Sequence, residues 1–127
     1  MVDYLIDSNV ISDYFSDLFT DKSANFISSI LDEKPIISFV TQIELLSWKT
    51  SIKIENGIKY FVQNCDIKNI NTEIIQHCVK VRRINKLKTP DAIIAGTAST
   101  FNLTIITNNF KDFSNIKGLK VINPYHL

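Results

Sequence analysis

Four carboxylates stand out by position: Asp7 after the apolar run YLI, Glu44 within TQIELL, Asp91 within LKTPDAIIAGTA, and Asp112 within NNFKD. Asp91 is the most pointed of them. Its segment opens on Thr-Pro, a helix start signal, and runs through Ala92, Ile93, Ile94, Ala95 and Ala98 with little polar face. Taken singly, each acid has a structural explanation. Asp91 gains about 0.3–1 kcal/mol at the positive end of its helix. Glu44 completes a T-x-x-E capping box with Thr41. Asp7 suits turn chemistry beside Ser8 and Asn9, and Asp112 suits a solvated loop. Taken together they imply chemistry. Two carboxylates about 4 Å apart repel by roughly 4 kcal/mol at an effective dielectric of 20. Shared protons or a divalent cation must offset that. Ligation by oxygen alone fits Mg²⁺ or Mn²⁺ better than zinc. Neither His77 nor His126 has metal-ligand spacing, and Cys65 and Cys78 form no C-x-x-C pair.

These acids meet only if the chain folds as alternating strands and helices. Residues 2–6 read as a strand, followed by a helix capped by Ser8 or Asn9 with Val10, Ile11, Tyr14, Phe15 and Leu18 at helical spacing. Phe26, Ile27, Ile30 and Leu31 predict a second helix ending near Lys34. IISFV, 36–40, is a strand covered on both faces, and Thr41 opens the helix TQIELLSWK. Residues 54–63 form another helix with Ile58, Phe61 and Val62 inward; 65–70 is a short strand; Asn71 or Thr72 caps a helix to about Asn85. The Asp91 helix, the strand LTIIT, the polar turn NNFKD and the strand KVIN complete the chain. Strands joined by helices imply right-handed crossovers, a parallel sheet and a three-layer α/β/α domain. Ligands of such sheets collect beyond the carboxyl ends of the strands. Asp7, Glu44, Asp91 and Asp112 all fit at that end.

Composition narrows the class. The 127 residues fit a single domain, 1–127, and are 45% hydrophobic and 21% charged, as in a globular chain. A net charge of +1 gives no overall basic field, so nucleic acid would be held by a local patch. Two cysteines give no disulfide framework, no apolar run reaches membrane-spanning length, and the start MVDYLID is no signal peptide. The expected setting is cytoplasmic and reducing.

YLIDSNVIS (4–12), SFVTQIELL (38–46), LKTPDAIIAGTA (87–98) and LTIITNNFKDFSNIKGLKVINP (103–124) span nearly the whole chain. In that order they resemble the PIN domain, most closely the VapC-type toxin ribonucleases of toxin–antitoxin pairs. The resemblance implies a central parallel sheet of four to five strands. It also implies that Asp7, Glu44 and Asp91 bind Mg²⁺ or Mn²⁺ and carry catalysis. Asn9 and Thr107 would support them by orienting Asp7 and a water. The family often carries a further acid in T-x-D/N-x-x-D-F; here Thr107 is followed by Asn109, which brings no charge, and Asp112 either compensates or caps the turn. The implied activity is endonucleolytic hydrolysis of RNA leaving a 5′-phosphate and a 3′-hydroxyl. The implied partners are an RNA substrate, a cognate antitoxin and a second copy of the chain. The apolar residues Tyr14, Phe15, Leu18 and Phe19 would serve the protein partners or simply the core.

Substrate grip would fall to KVRRINKLK, 80–88, which leads straight into Asp91. Arg82, Arg83, Lys86 and Lys88 form either a phosphate-contacting rim or a solvated helix face with Val79, Ile84 and Leu87 inward. Trp48 suits the core or an interface, or stacking on a base. An aspartyl phosphatase would want an acid where Asn9 stands, a Rossmann domain would want G-x-G-x-x-G, and a receiver domain would want Asp at the end of the third strand. The chain meets none of these. The remaining alternative is a PIN-like protein-binding domain, its nuclease activity weakened by Asn109.

Overall fold

The computed structural model describes residues 3–127. Five short strands form one all-parallel sheet: β1 (Tyr4–Ile6), β2 (Ile36–Ser38), β3 (Asp66–Lys68), β4 (Thr104–Ile106) and β5 (Lys120–Ile122), in the order β3-β2-β1-β4-β5. Seven helices cover it: α1 (Ser8–Phe15), α2 (Asp21–Leu31), α3 (Phe39–Ser47), α4 (Ile52–Gln63), α5 (Thr72–Ile84), α6 (Thr89–Phe101) and α7 (Phe110–Ser114). The period-two geometry of strands splits the core in two. Ile6 and Ile106 face one apolar cluster, shared with α1, α3 and α4, while Leu5 and Ile105 face the other, shared with α6 and α7. Central strands covered on both faces are continuously apolar for this reason.

The topology creates one crevice. From β1 the chain crosses to β2 on one side; from β4 it crosses to β5 on the other. The neighbours β1 and β4, in register at Ile6 and Ile106, therefore mark the switch point where α/β sheets bind ligands. Asp7 and Thr107 are the first residues beyond those strand ends, and the Asp7 amide donates to the Ile106 carbonyl at 3.0 Å.

Several boundaries differ from the sequence expectation. The expected start of β1 at residue 2 lies outside the described residues. Asp7, not Ser8 or Asn9, caps α1, and Leu18 falls beyond that helix, 65% exposed. Tyr14, Phe15 and Phe19 pack on the core. The IISFV strand stops at Ser38, whose hydroxyl caps α3 by accepting from the Val40 amide. Thr41 is therefore interior to α3 and forms no capping box; Glu44 lies in the second turn. The α2 helix ends at Leu31, short of Lys34, and NNFKD contains the start of α7 instead of forming only a turn. On α5, Val79 and Ile84 point outward, Ile84 being 75% exposed, and only Leu87 of the expected inward trio is buried.

The helix α6 packs on α5 through small residues. A Cβ at Gly96 would stand 2.4 Å from Cys78 Sγ and 2.8 Å from the Cys78 backbone nitrogen. Gly96→Ala should therefore destabilise the protein by about 1–3 kcal/mol, the usual cost of overpacking, although alanine is the better helix former. Urea denaturation checks this, and Cys78→Ala should restore only part of the loss because the backbone obstacle stays.

Candidate active site

Asp7 begins the site. Its backbone is extended (φ −78°, ψ 153°), which lets the carboxylate fold back as the cap of α1. Oδ1 accepts the Ser8 amide at 2.9 Å, and Oδ2 accepts the Thr107 hydroxyl at 2.8 Å. The Thr107 hydroxyl in turn accepts the Asn109 amide at 3.0 Å. Asp7 is 7% exposed. Its two hydrogen bonds favour the charged form, but burial outweighs them and holds its carboxyl above the ordinary 3.8.

Glu44 reaches the same place from α3, where its Oε1 accepts the Ser8 hydroxyl at 3.1 Å. It remains largely open to solvent. Partial burial raises its carboxyl above the ordinary 4.5, the Ser8 bond opposes this, and the charges of Asp7 and Asp91 add to the rise. Asp91, in the first turn of α6, is raised by burial and then by Asp7 and Asp112; Lys88 offsets only part. These mutual effects place Asp7, Glu44, Asp91 and Asp112 within one electrostatic neighbourhood. Among the described residues the ion pairs comprise only Lys68–Asp66 on β3, so no lysine or arginine forms an ion pair with the cluster, and Lys88 tempers Asp91 only from a longer distance.

The donor chemistry fits a hard divalent ion. Asp7, Glu44 and Asp91 offer only hard oxygen donors, and Asn9 Oδ1, buried beside Ser8, has no hydrogen-bond partner. As the side chains stand, however, no group of three acid, histidine or cysteine residues among the described residues could hold a metal ion. Asp7 is turned onto Thr107 and Ser8, and Glu44 onto Ser8. An ion would replace those bonds or share their oxygens.

Asn109 heads α7 without capping it, and its amide nitrogen donates to Asp112 Oδ2 at 3.0 Å. Asp112 therefore bonds its neighbour while still contributing charge at Asp91. Arg82, Arg83, Lys86 and Lys88 are all exposed; the Arg82 Nε donates to the Leu87 carbonyl at 3.2 Å, and Lys88 stands at the start of α6. His77 bonds Ser99 and lies outside the acidic cluster. Sequence reasoning missed Ser8 as the bridge between Asp7 and Glu44. The signal was its place in D-S-N, where one residue offers both an amide and a hydroxyl.

Comparison with known proteins places the chain in a family. The PIN domain model matches residues 4–119. The chain belongs to the PIN domain family. Among solved structures it is 33% identical to a chain of a toxin–antitoxin complex from Klebsiella pneumoniae, with a TM-score of 0.79 over 96% of this chain and 98% of that one. VapBC2 from Rickettsia felis, bound to a DNA fragment from its promoter, is 20% identical with a TM-score of 0.79, covering 97% and 98%. FitAcB from Neisseria gonorrhoeae is 21% identical with a TM-score of 0.79, covering 98% and 99%. The last two show the fold alone. No curated protein sequence matches the chain significantly.

The raised carboxyls set a pH dependence. The folded state holds these protons more tightly than the unfolded chain does. The penalty of ionising them is present in full at high pH and fades as pH falls from neutral toward the ordinary values of 3.8 and 4.5. In EDTA, Asp91→Asn should melt no lower than the parent at neutral pH, and its advantage should shrink on acidification. Melting curves across that range check both; a variant that melts much earlier would make Asp91 a structural residue.

Proposed function

We propose that this chain is a Mg²⁺- or Mn²⁺-dependent endoribonuclease and the toxin of a toxin–antitoxin pair. The observation that carries the reading is the group Asp7, Glu44 and Asp91. These acids come from three elements at the switch point of a PIN fold, Asp7 raises the carboxyls of both Glu44 and Asp91, and none of the three forms an ion pair, Lys88 only tempering Asp91. When bound, the ion would lower the pKa of a water, screen charge on the phosphate and orient it.

The chain's own groups would do the rest. Asp7, Glu44 and Asp91 would supply oxygen ligands from a strand end and two helices. Thr107 would fix the rotation of Asp7, and Ser8 would fix Glu44 relative to it. Asn9 has a free carboxamide oxygen that suits a metal-bound water. The rim Arg82, Arg83, Lys86 and Lys88 would hold flanking phosphates with salt-dependent affinity and little base readout. The antitoxin reading is supported by the similar chain in the Klebsiella pneumoniae complex. A homodimer is supported by exposed Ile43, Leu46 and Ile52 on α3 and α4. No helix of the described residues is long and apolar enough to cross a membrane.

A second reading rests on Asn109. Where the family often has an acid, this chain has an amide that bonds Asp112, as expected if nuclease activity has given way to protein binding. Cleavage of RNA by EDTA-dialysed protein, with and without added Mn²⁺, separates the two. The nuclease should act only with metal, and Asp91→Asn or Glu44→Gln should lose activity by a factor of about 100 or more. Thr107→Val, which leaves the ligands but frees Asp7, should lose about 10–100-fold in activity or metal affinity. Residual cleavage equal in parent and Asp91→Asn would mark a contaminant and favour the binding reading.

A further inference from the structure

One cavity adjoins the acidic cluster. Its volume is about 440 Å³, within the range of ligand sites, and Ser8, Asn9 and Ser12 of α1 and Glu44, Ser47 and Trp48 of α3 and its end wall it. Ser8 and Glu44 belong to both the cavity and the site, so the two are continuous. The lining carries no lysine, arginine or histidine, and its one charged group is a carboxylate. A phosphate would be repelled there. An uncharged planar group is not: Trp48, half-buried against the core, still lines the cavity beside three hydroxyls.

We infer that this cavity receives one unpaired nucleobase of the RNA, stacked on Trp48, from the nucleotide next to the phosphate held at Asp7, Glu44 and Asp91. The inference rests on the nuclease reading and adds a base subsite to it. Each base has a π-face for the indole, so the subsite selects for single-strandedness before sequence. A paired base keeps both faces in the duplex stack and cannot enter. The basic rim then holds the backbone from the α5–α6 side, while α1 and α3 hold the base.

Trp48 is the chain's sole tryptophan, so all tryptophan emission comes from the residue that lines this cavity. A labelled single-stranded oligoribonucleotide is titrated into the full chain in EDTA, following label anisotropy and tryptophan emission together. Both should change with one midpoint, and the same RNA as a duplex should leave the emission unchanged. Trp48→Leu should weaken single-strand binding about tenfold, with Trp48→Phe staying within about threefold of the parent. Binding by anisotropy with unaltered emission would overturn the subsite and leave the nuclease reading in place. So would equal quenching by duplex, or equal loss in the Leu and Phe variants. Absence of any binding in EDTA and in Mn²⁺ would overturn both.

Discussion

The structure turns on a single buried carboxylate. Asp7 follows three residues of apolar strand, at the point where β1 and β4 lie side by side and the chain departs in opposite directions. A charge there is costly, and the fold answers with two donors, the Ser8 amide and the Thr107 hydroxyl, one adjacent and the other 100 residues away. Two bonds to a charged acceptor are substantial. Burial still outweighs them and raises the Asp7 carboxyl. The fold then brings Glu44 and Asp91 toward this buried acid.

The local devices and the site use the same atoms. The carboxylate that starts α1 by capping it is also the one buried at the switch point. Ser8, the first residue of that helix, closes the cap through its backbone and reaches Glu44 through its side chain. Asp91 lies in the first turn of a helix whose small residues let it sit close against α5 and the sheet. For Asp7 and Asp91 the structural explanation is therefore compatible with a functional one. Capping orients Asp7, the first turn of α6 carries Asp91, and Glu44, in the second turn of α3, is tied to the site by Ser8.

Much of this was legible in the residues. The apolar runs marked all five strands, and the sequence order of D-S-N, E-L-L and P-D-A identified the PIN resemblance and the acids worth watching. What misled was short-range chemistry with two equivalent solutions. Ser38 and Thr41 both suit a helix cap, and the choice fell to Ser38 because β2 needs only three residues to pair with β1 and β3. Asp7 and Ser8 both suit the α1 cap, and the Thr107 hydroxyl, remote in sequence, fixes Asp7 there. Val79 and Ile84 read as inward because apolar residues usually are; α5 is covered mainly by α6, leaving them on the open side. The five-residue α7 is too short for periodicity to reveal.

The most direct test is calorimetric titration of Mn²⁺ into the EDTA-stripped protein near neutral pH, in two buffers of different ionisation enthalpy. A cation shared by Asp7, Glu44 and Asp91 should give a saturable heat. Because those carboxyls hold protons more tightly than usual, binding should also release a fraction of a proton that grows as pH is lowered. Asp7→Asn should abolish the saturable component. No saturable binding in the parent, or equal binding in Asp7→Asn, would contradict a shared ion and leave the acidic cluster without its explanation.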